Sequence, residues 1–518
     1  MSQVNQKRIA VNTILLYGRM FLVLLVGLYT VNVIRDALGD NDIDIYGLIG
    51  SIVAMFSFLS NSMAGASQRY FAYELGRDDS TRLKNVYSLI TTLFIVITIV
   101  LVVLIEIFGY LWLTNVAEIP ADRMDAAKWV FHCAVVSFAI TLMATPLRAV
   151  IIAHENMKVF AYMSILEVSL NLAVAIAISH TTYDRLVMYA LLMIAAPFAT
   201  TLLYYIYCRG HYKECRYSYY WNRELVKEIT EYTGWNMFGS FASVCRSQGL
   251  NLILNGYPGS ALLNAARFYA YKIYSALTQL IDNFYTATRP QIIKSYSAGE
   301  TQSMLKLINQ SSKFSFYLAF LIALPLLVET PYILEFWLED DLPEKTVIFT
   351  RLLLVNALLE LFTYPIATGV QATGRVKWYQ IFVGGTLLLL LPVAICIKRF
   401  TSLPAEYVFY ASICITVLAH IGRLCFAKTI LQLSVAQYIK AVILPILMVT
   451  VTSAVIPCIM VSYMNSCFVR FISVLAVCVL CTSVSVWILG MTASERSTII
   501  ESVKAFINRN RNSRNDNN

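Results

Sequence analysis

The stretch TPLRAVIIAHENMK at residues 145–158 has a counterpart in YPIATGVQATGRVK at residues 364–377. Each stretch has a proline in second place, an alanine seven residues after that proline and a lysine twelve residues after it. A spacing of about 220 residues also relates three further pairs of identical residues, Arg69 and Arg289, Leu83 and Leu305, and Lys84 and Lys306. The chain therefore contains two similar halves, an organisation typical of membrane transporters, whose substrate site lies where the halves meet.

The composition excludes an ordinary soluble domain. Of the 518 residues, 58% are hydrophobic and 14% are charged, and the mean hydropathy is +0.64. Soluble chains carry about 25% charged residues. Apolar runs of about 20 residues recur along the chain, each long enough to cross a hydrocarbon core of about 30 Å. The first run is long and lacks a small-residue cleavage site, so we expect a membrane span there and not a cleavable signal.

The apolar runs predict fourteen spans, at residues 9–33, 43–67, 86–110, 129–152, 159–179, 185–208, 232–255, 262–288, 313–330, 347–370, 378–397, 407–426, 441–463 and 469–490. Placing both termini in the cytoplasm assigns 27 Lys and Arg residues to cytoplasmic segments and span ends, and 8 to the outer side. The positive-inside rule predicts such an excess. The net charge of +9 is thus explained by topology, and we expect no nucleic-acid partner.

The spans group into an N-terminal lobe, a connecting loop, a C-terminal lobe and a C-terminal extension. Because each lobe has an even number of spans, the two repeats run parallel, related by an axis along the membrane normal. We expect an all-α polytopic membrane protein with a 6+6 repeat and two extra C-terminal helices. The segments are 1–208 (spans 1–6), 209–231 (cytoplasmic inter-lobe loop), 232–426 (spans 7–12), 427–490 (spans 13–14, outside the repeat) and 491–518 (a basic, Asn-rich cytoplasmic tail).

Several charged residues fall inside predicted spans. Arg19 lies midway along span 1, Arg246 lies at a similar depth in span 7, and span 8 contains Arg267, Lys272 and Asp282. A charge at the bilayer centre costs about 2.5–3.5 kcal/mol on insertion scales, so such residues usually face a cavity or a partner. Four cations with one carboxylate in these spans favour an anionic ligand such as a phosphate, which the planar arginine fork binds well.

Two alternatives remain for these charges. The arginines can form buried ion pairs between helices, for example Arg246 with Glu360 or Arg19 with Glu167. The carboxylates Asp282, Glu167 and Glu360 can also bind a proton or a sodium ion and couple transport to a gradient. On helical geometry, Arg267 and Asp282 project within about 60° of one another, which predicts one hydrated face on span 8.

The sequence gives no support for an enzyme. It contains no Walker A motif and no dinucleotide-binding glycine fingerprint, so no nucleotide cofactor is expected. The five histidines are dispersed, which predicts no metal site. The outer segments are short and leave no room for a folded catalytic domain, which counts against a membrane-embedded glycosyl-transfer enzyme.

The span layout and three segments carry a family resemblance. They are Ala153-His154-Glu155-Asn156-Met157-Lys158 after span 4, Gln371-Ala372-Thr373-Gly374-Arg375 after span 10, and the exit of span 2 from Ala66 through Arg69 to Gly76. On these features the chain resembles the multidrug/oligosaccharidyl-lipid/polysaccharide (MOP) exporter superfamily, which includes the MATE transporters. Within that superfamily it is most similar to the Wzx-type oligosaccharide flippases, the polysaccharide biosynthesis proteins.

The resemblance implies two six-helix lobes around a cavity that opens alternately to each side of a bacterial inner membrane. The implied substrate is an undecaprenyl-diphosphate-linked oligosaccharide, flipped outward for surface polysaccharide assembly, with Arg19, Arg246, Arg267 and Lys272 in spans that would line the cavity. Membrane lipids, a polysaccharide polymerase and chain-length machinery are the implied partners. Flipping of a lipid-linked peptidoglycan precursor, cation-coupled export of small molecules and a non-transporting scaffold remain as alternatives.

Overall fold

The computed structural model describes residues 3–39, 42, 45–50, 56–115, 119–120, 122–181, 183–254, 256–338, 343–401, 403–497 and 500–501. Throughout these ranges the regular secondary structure is helical, and they contain no strand. Most of the predicted tail at 491–518 lies outside the described residues.

Residues 42 and 45–50 are helical, and fifteen further helices have bounds within the described ranges. They are α1 (Gln3–Leu38), α2 (Ser57–Gly76), α3 (Ser80–Asn115), α4 (Met124–Ala153), α5 (Met157–Ser179), α6 (Arg185–His211), α7 (Arg223–Leu254), α8 (Ser260–Ser297), α9 (Thr301–Val328), α10 (Thr330–Leu338), α11 (Thr346–Thr373), α12 (Lys377–Phe400), α13 (Glu406–Leu431), α14 (Val435–Tyr463) and α15 (Phe468–Gly490). Each of the fourteen predicted spans overlaps one of these helices.

Ten of the helices are long and apolar enough to cross a membrane, namely α3–α6, α9 and α11–α15. The other four predicted spans correspond to α1, α2, α7 and α8. Helices α1, α7 and α8 contain the four candidate cationic site residues. Polar helices of this kind occur in membrane proteins where a face is shielded from lipid.

The chain divides into two compact units. The first unit comprises residues 12–240 and 293–299, and the second comprises residues 1–11, 241–292 and 300–518. The segment predicted as a loop at 209–231 lies within the first unit and is largely helical, because α6 continues to His211 and α7 begins at Arg223. The helices extend past the apolar runs from which the loop limits were inferred.

In the first unit, α4 packs against α2, α3 and α6. The core includes Phe131, Val130 and Ile105, each 1% exposed or less. Because lipid tails are as apolar as these side chains, tight van der Waals packing holds membrane helices together. Gly109 illustrates this, since a Cβ added there would lie 2.8 Å from the ring of Phe131. A larger residue would push α3 away from α4.

In the second unit, α14 and α15 pack on α9. Lys313 of α9 donates to Glu495, just after α15, over 2.8 Å, and Arg470 of α15 donates to Glu329 over 2.8 Å. All four side chains are buried. Spans 13 and 14, which we expected to be an appendage, are therefore joined to the rest of this unit by two buried ion pairs. The charged partners are over 140 residues apart in sequence, so the apolar pattern gave no sign of them.

Candidate functional site

The charged residues of the second unit centre on an ion pair between Arg246 of α7 and Glu360 of α11. The Arg246 Nη2 atom lies 2.5 Å from Glu360 Oε1, and the two side chains are 12% and 15% exposed. An isolated charge would be costly at this depth, and the pair neutralises both partners. For Arg246, the structure shows the ion-pair alternative and not an unpaired cation.

Two neutral side chains donate to Glu360 beside Arg246, and Arg423 also acts on this carboxylate electrostatically. Asn356 donates to Oε1 over 3.1 Å, and Tyr274 of α8 donates to Oε2 over 3.1 Å. Thr416 of α13 donates to Asn356 over 2.8 Å. Both carboxylate oxygens are therefore occupied, and the network joins four helices. The side chains that form this network were not predicted from the sequence, although Tyr274 lies among the polar residues of predicted span 8.

Arg267 of α8 is buried, with 8% of its surface exposed. It donates to the side-chain oxygen of Asn251 and to the Ser247 carbonyl, the latter over 2.8 Å, and it lies over the Tyr271 ring at 5.3 Å. These partners are neutral. Within the described part of the chain, no carboxylate lies within 4.0 Å of this guanidinium.

A stripe of polar side chains is exposed on α8. Lys272, Ser275, Gln279 and Asp282 are all exposed, and their spacing of three and four residues places them on one side of the helix. A polar stripe of this kind is not stable against hydrocarbon, so it faces water or a partner in the membrane. Asp282 forms no ion pair with any described cation.

The predicted common face of Arg267 and Asp282 needs correction. Arg267 turns towards α7, where it bonds Asn251, whereas Asp282 is exposed. Helical angles gave their directions correctly but carried no information on which side a neighbouring helix covers.

The first unit contains a second group of charges. Arg148 of α4 donates to Glu167 of α5 over 3.1 Å, and the Arg148 guanidinium lies 5.4 Å from the centre of the Tyr204 ring. Arg19 of α1 lies over the Phe160 ring at 4.8 Å, and Glu167 and Arg148 both act on it electrostatically. Glu167 thus pairs with Arg148, and Arg19 lies near enough to feel the charge of both.

The alternative in which Arg19 pairs with Glu167 is not what the structure shows, because Glu167 pairs with Arg148. The buried Nε atom of Arg19 has no hydrogen-bond partner among the described residues. Arg148 was missed as a site residue, although it directly follows Thr145-Pro146-Leu147 in the repeated stretch. Its position near the end of a predicted span made it look interfacial.

These arrangements are suited to binding and not to covalent chemistry. The charged residues described here make ion pairs, cation–π contacts and hydrogen bonds to amide and carbonyl oxygens. In the described ranges, no group of three or more His, Cys, Asp or Glu side chains is placed to hold a metal ion.

Comparison with known proteins identifies the architecture. Residues 17–177 match the MatE family model. A MATE structure in the bent conformation superposes with a TM-score of 0.73 at 14% identity, covering 83% of this chain and 96% of that chain. The fold is that of the MATE transporters. The predicted all-α, MATE-like fold is thereby confirmed.

Two further structures with the MATE fold are informative. An outward-facing multidrug resistance MATE family transporter of the MOP superfamily gives a TM-score of 0.72 at 14% identity, covering 83% of this chain and 96% of its own. The second is a MOP superfamily transporter from Pyrococcus furiosus, described as having a binding pocket of reversed polarity that suggests a different function. It superposes with a TM-score of 0.68 at 14% identity, covering 83% of this chain and 97% of its own. No curated protein matches the sequence.

Proposed function

We propose that this chain flips an undecaprenyl-diphosphate-linked oligosaccharide from the inner to the outer leaflet of a bacterial cytoplasmic membrane, with both termini in the cytoplasm. The observation that carries the proposal is the surplus of cations. Arg267 and Lys272 have no carboxylate partner among the described residues of the second unit. In the first unit, Glu167 pairs with Arg148, and Arg19 forms no ion pair with a described carboxylate.

A surplus of this kind suits a diphosphate. Moving a bare ion into a low-dielectric layer costs tens of kcal/mol by Born estimates, so the headgroup needs replacement of its hydration. Guanidinium groups supply parallel hydrogen bonds and ammonium groups supply charge. The MATE-type fold provides for alternating access, while the polyprenyl chain stays in lipid.

The contacts divide the candidate residues by role. Arg19, Arg267 and Lys272 are the proposed substrate-binding cations. Arg246 and Glu360 form a structural pair that holds α7, α8, α11 and α13 together, and Glu167 holds Arg148. Asp282 remains the candidate for coupling to a proton or a sodium ion, because it is exposed and has no cationic partner in the described ranges. Ion binding there would bias the transport cycle only if one state bound the ion better.

One observation favours a second function, export of small cationic molecules. Asp282 lies on the same exposed stripe as Lys272, so an acidic group is also available to a ligand. The reversed pocket polarity described for the Pyrococcus furiosus transporter indicates that one fold serves ligands of different charge. The greater number of unpaired cations makes this the second choice.

The test is made in a strain that lacks this chain. We expect loss of surface polysaccharide and accumulation of undecaprenyl-linked oligosaccharide, both reversed by the intact gene. Lys272→Ala should fail to restore transport, whereas Ser275→Ala, its neighbour on the same exposed face, should restore it. Unchanged lipid-linked oligosaccharide together with increased sensitivity to cationic drugs would favour the second function.

A further inference from the structure

An apolar crevice lies in the first unit, between α3, α4 and α6. Its volume is about 380 Å³, and its walls include Ile95, Leu147, Phe198, Leu202 and Tyr205. This is within the range of about 300–1,000 Å³ typical of small-molecule sites. The crevice is separate from the charged groups described above and does not depend on what the protein transports.

The crevice opens to hydrocarbon. Ile95, Phe198 and Leu202 at its mouth are 37%, 57% and 47% exposed. Along α3, the exposed apolar residues Ile99 and Val103 continue the line of Ile95 at four-residue spacing. An apolar helix face of this kind contacts lipid tails in a membrane. The molecule that reaches the crevice is therefore an alkyl chain.

One end of the crevice is closed by residues 216–218. Tyr217 lines the crevice, and its hydroxyl lies 3.1 Å from Thr92 Oγ1, while the Ser218 N–H donates to Ser88 Oγ over 3.3 Å. Tyr217, Tyr219 and Trp221 are all exposed. Exposed Tyr and Trp side chains at the end of membrane helices mark the level of the lipid headgroups. The closed end thus lies at the membrane surface.

The same end is cationic. Arg209 donates to the hydroxyl of the crevice residue Tyr205 over 2.9 Å, and Arg209, Lys213 and Arg216 are exposed. Glu214, which lies 2.5 Å from His154 Nε2, is one carboxylate against these three cations, so this end keeps a positive balance. Basic residues at this level attract anionic lipids by about 1 kcal/mol each.

We propose that this crevice binds a phospholipid with an anionic headgroup. One acyl chain occupies the space between α3, α4 and α6, and the phosphate lies at Arg209. Bulk phospholipid is chosen over the chain of a carrier lipid because the opening faces the bilayer hydrocarbon, where phospholipid chains are by far the most abundant ligand.

The test is native mass spectrometry of the full-length protein, titrated in detergent with phosphatidylglycerol or phosphatidylcholine. Wild type should retain phosphatidylglycerol preferentially. Leu202→Trp and Ile95→Trp, which fill the mouth, should each abolish that adduct, whereas Leu203→Trp, on the same helix but outside the crevice, should not. Arg209→Gln should weaken phosphatidylglycerol binding about fivefold, and Lys158→Gln should leave it unchanged.

Thermal melting of every variant shows which ones are folded. Because the two mouth-filling substitutions lie on different helices, the test can still be made if one of these variants does not fold. Equal binding by Leu202→Trp and Leu203→Trp would overturn the site. Equal binding of the two phospholipids, unaffected by Arg209→Gln, would overturn the anionic headgroup. Displacement of phosphatidylglycerol by polyprenyl diphosphate at lower concentration would assign the crevice to the carrier lipid instead.

Discussion

Glu155 and Gly374 have the same backbone conformation at equivalent positions of the two repeated stretches. Their φ angles are 60° and 78°, in the left-handed region. Each follows the end of a long helix, α4 or α11, and precedes the next. Glycine adopts this conformation freely, whereas Glu155 is held there by a 2.8 Å ion pair with Lys294 and by a bond from Asn12 to its carbonyl. The duplication therefore extends to the backbone of individual turns.

A second turn shows the same relationship and allows a clean test. Asp78, after α2, and Gly299, after α8, have φ angles of 56° and 79°. A Cβ at Gly299 would meet no atom within 4 Å, so Gly299→Ala changes only the backbone preference. We expect it to lower the free energy of unfolding by about 1–2 kcal/mol, measured by denaturation in detergent.

Gly385 provides the matched control. It lies inside α12, and a Cβ there also meets nothing within 4 Å. Because alanine is favoured over glycine in a helix, Gly385→Ala should raise stability by about 0.5–1 kcal/mol. If both substitutions shift stability in the same direction, the left-handed conformation at Gly299 is not what determines the outcome.

The sequence predicted most of the fold because apolar runs and turns are local features. All fourteen spans overlap helices, and the repeated stretch marks equivalent turns at Glu155 and Gly374. The site was predicted less well because its contacts are not local. Arg246 and Glu360 are 114 residues apart, and several carboxylates were possible partners. Which carboxylate an arginine meets depends on how the helices pack, as the pairing of Glu167 with Arg148 shows.

Because Arg246 is paired with Glu360, we expect substitution of Arg246 to lower the stability of the protein and not simply its affinity for substrate. Arg246→Ala removes the ion-pair partner of the buried Glu360 and leaves Tyr274 and Asn356 as its described hydrogen-bond donors. Breaking a buried pair costs about 3–5 kcal/mol, whereas replacing both partners by apolar residues is often neutral. We therefore expect low folded yield for Arg246→Ala and recovery for Arg246→Met combined with Glu360→Met, measured by fluorescence-detected size-exclusion chromatography. A stable but inactive Arg246→Ala would return Arg246 to the substrate-binding group.

Arg267 should behave differently because its partners are neutral. Arg267→Lys retains the charge but loses the planar fork that reaches both Asn251 and the Ser247 carbonyl. We expect partial transport from Arg267→Lys and none from Arg267→Ala, at wild-type levels in the membrane. The readout is surface polysaccharide in the deletion strain, normalised to protein amount. Full activity of Arg267→Ala would remove this residue from the proposed site.

We expect the stability of the protein to depend on pH through Glu214, which lies outside the membrane spans. Burial alone would raise the pKa of this carboxyl, but the hydrogen bond with His154 holds the pKa below its usual value. A lowered folded-state pKa means that the stabilisation is complete above the unfolded value of about 4.3 and declines as the pH falls through the folded-state pKa. Glu214→Gln should therefore be less stable than wild type by about 2 kcal/mol at pH 5.5.

That difference should shrink as the pH is lowered from 5.5 towards 3.5, because wild type alone loses the ionised carboxylate. Measurements begin at pH 5.5 because this is above the unfolded-state pKa of a Glu carboxyl, so Glu214 is ionised there in both the folded and the unfolded state. The measurement is thermal unfolding in detergent across this range. Glu231→Gln, at an exposed position of α7, is the control and should track wild type. A difference between wild type and Glu214→Gln that stays constant down to pH 3.5 would show that the His154 contact does not depend on the charge of Glu214.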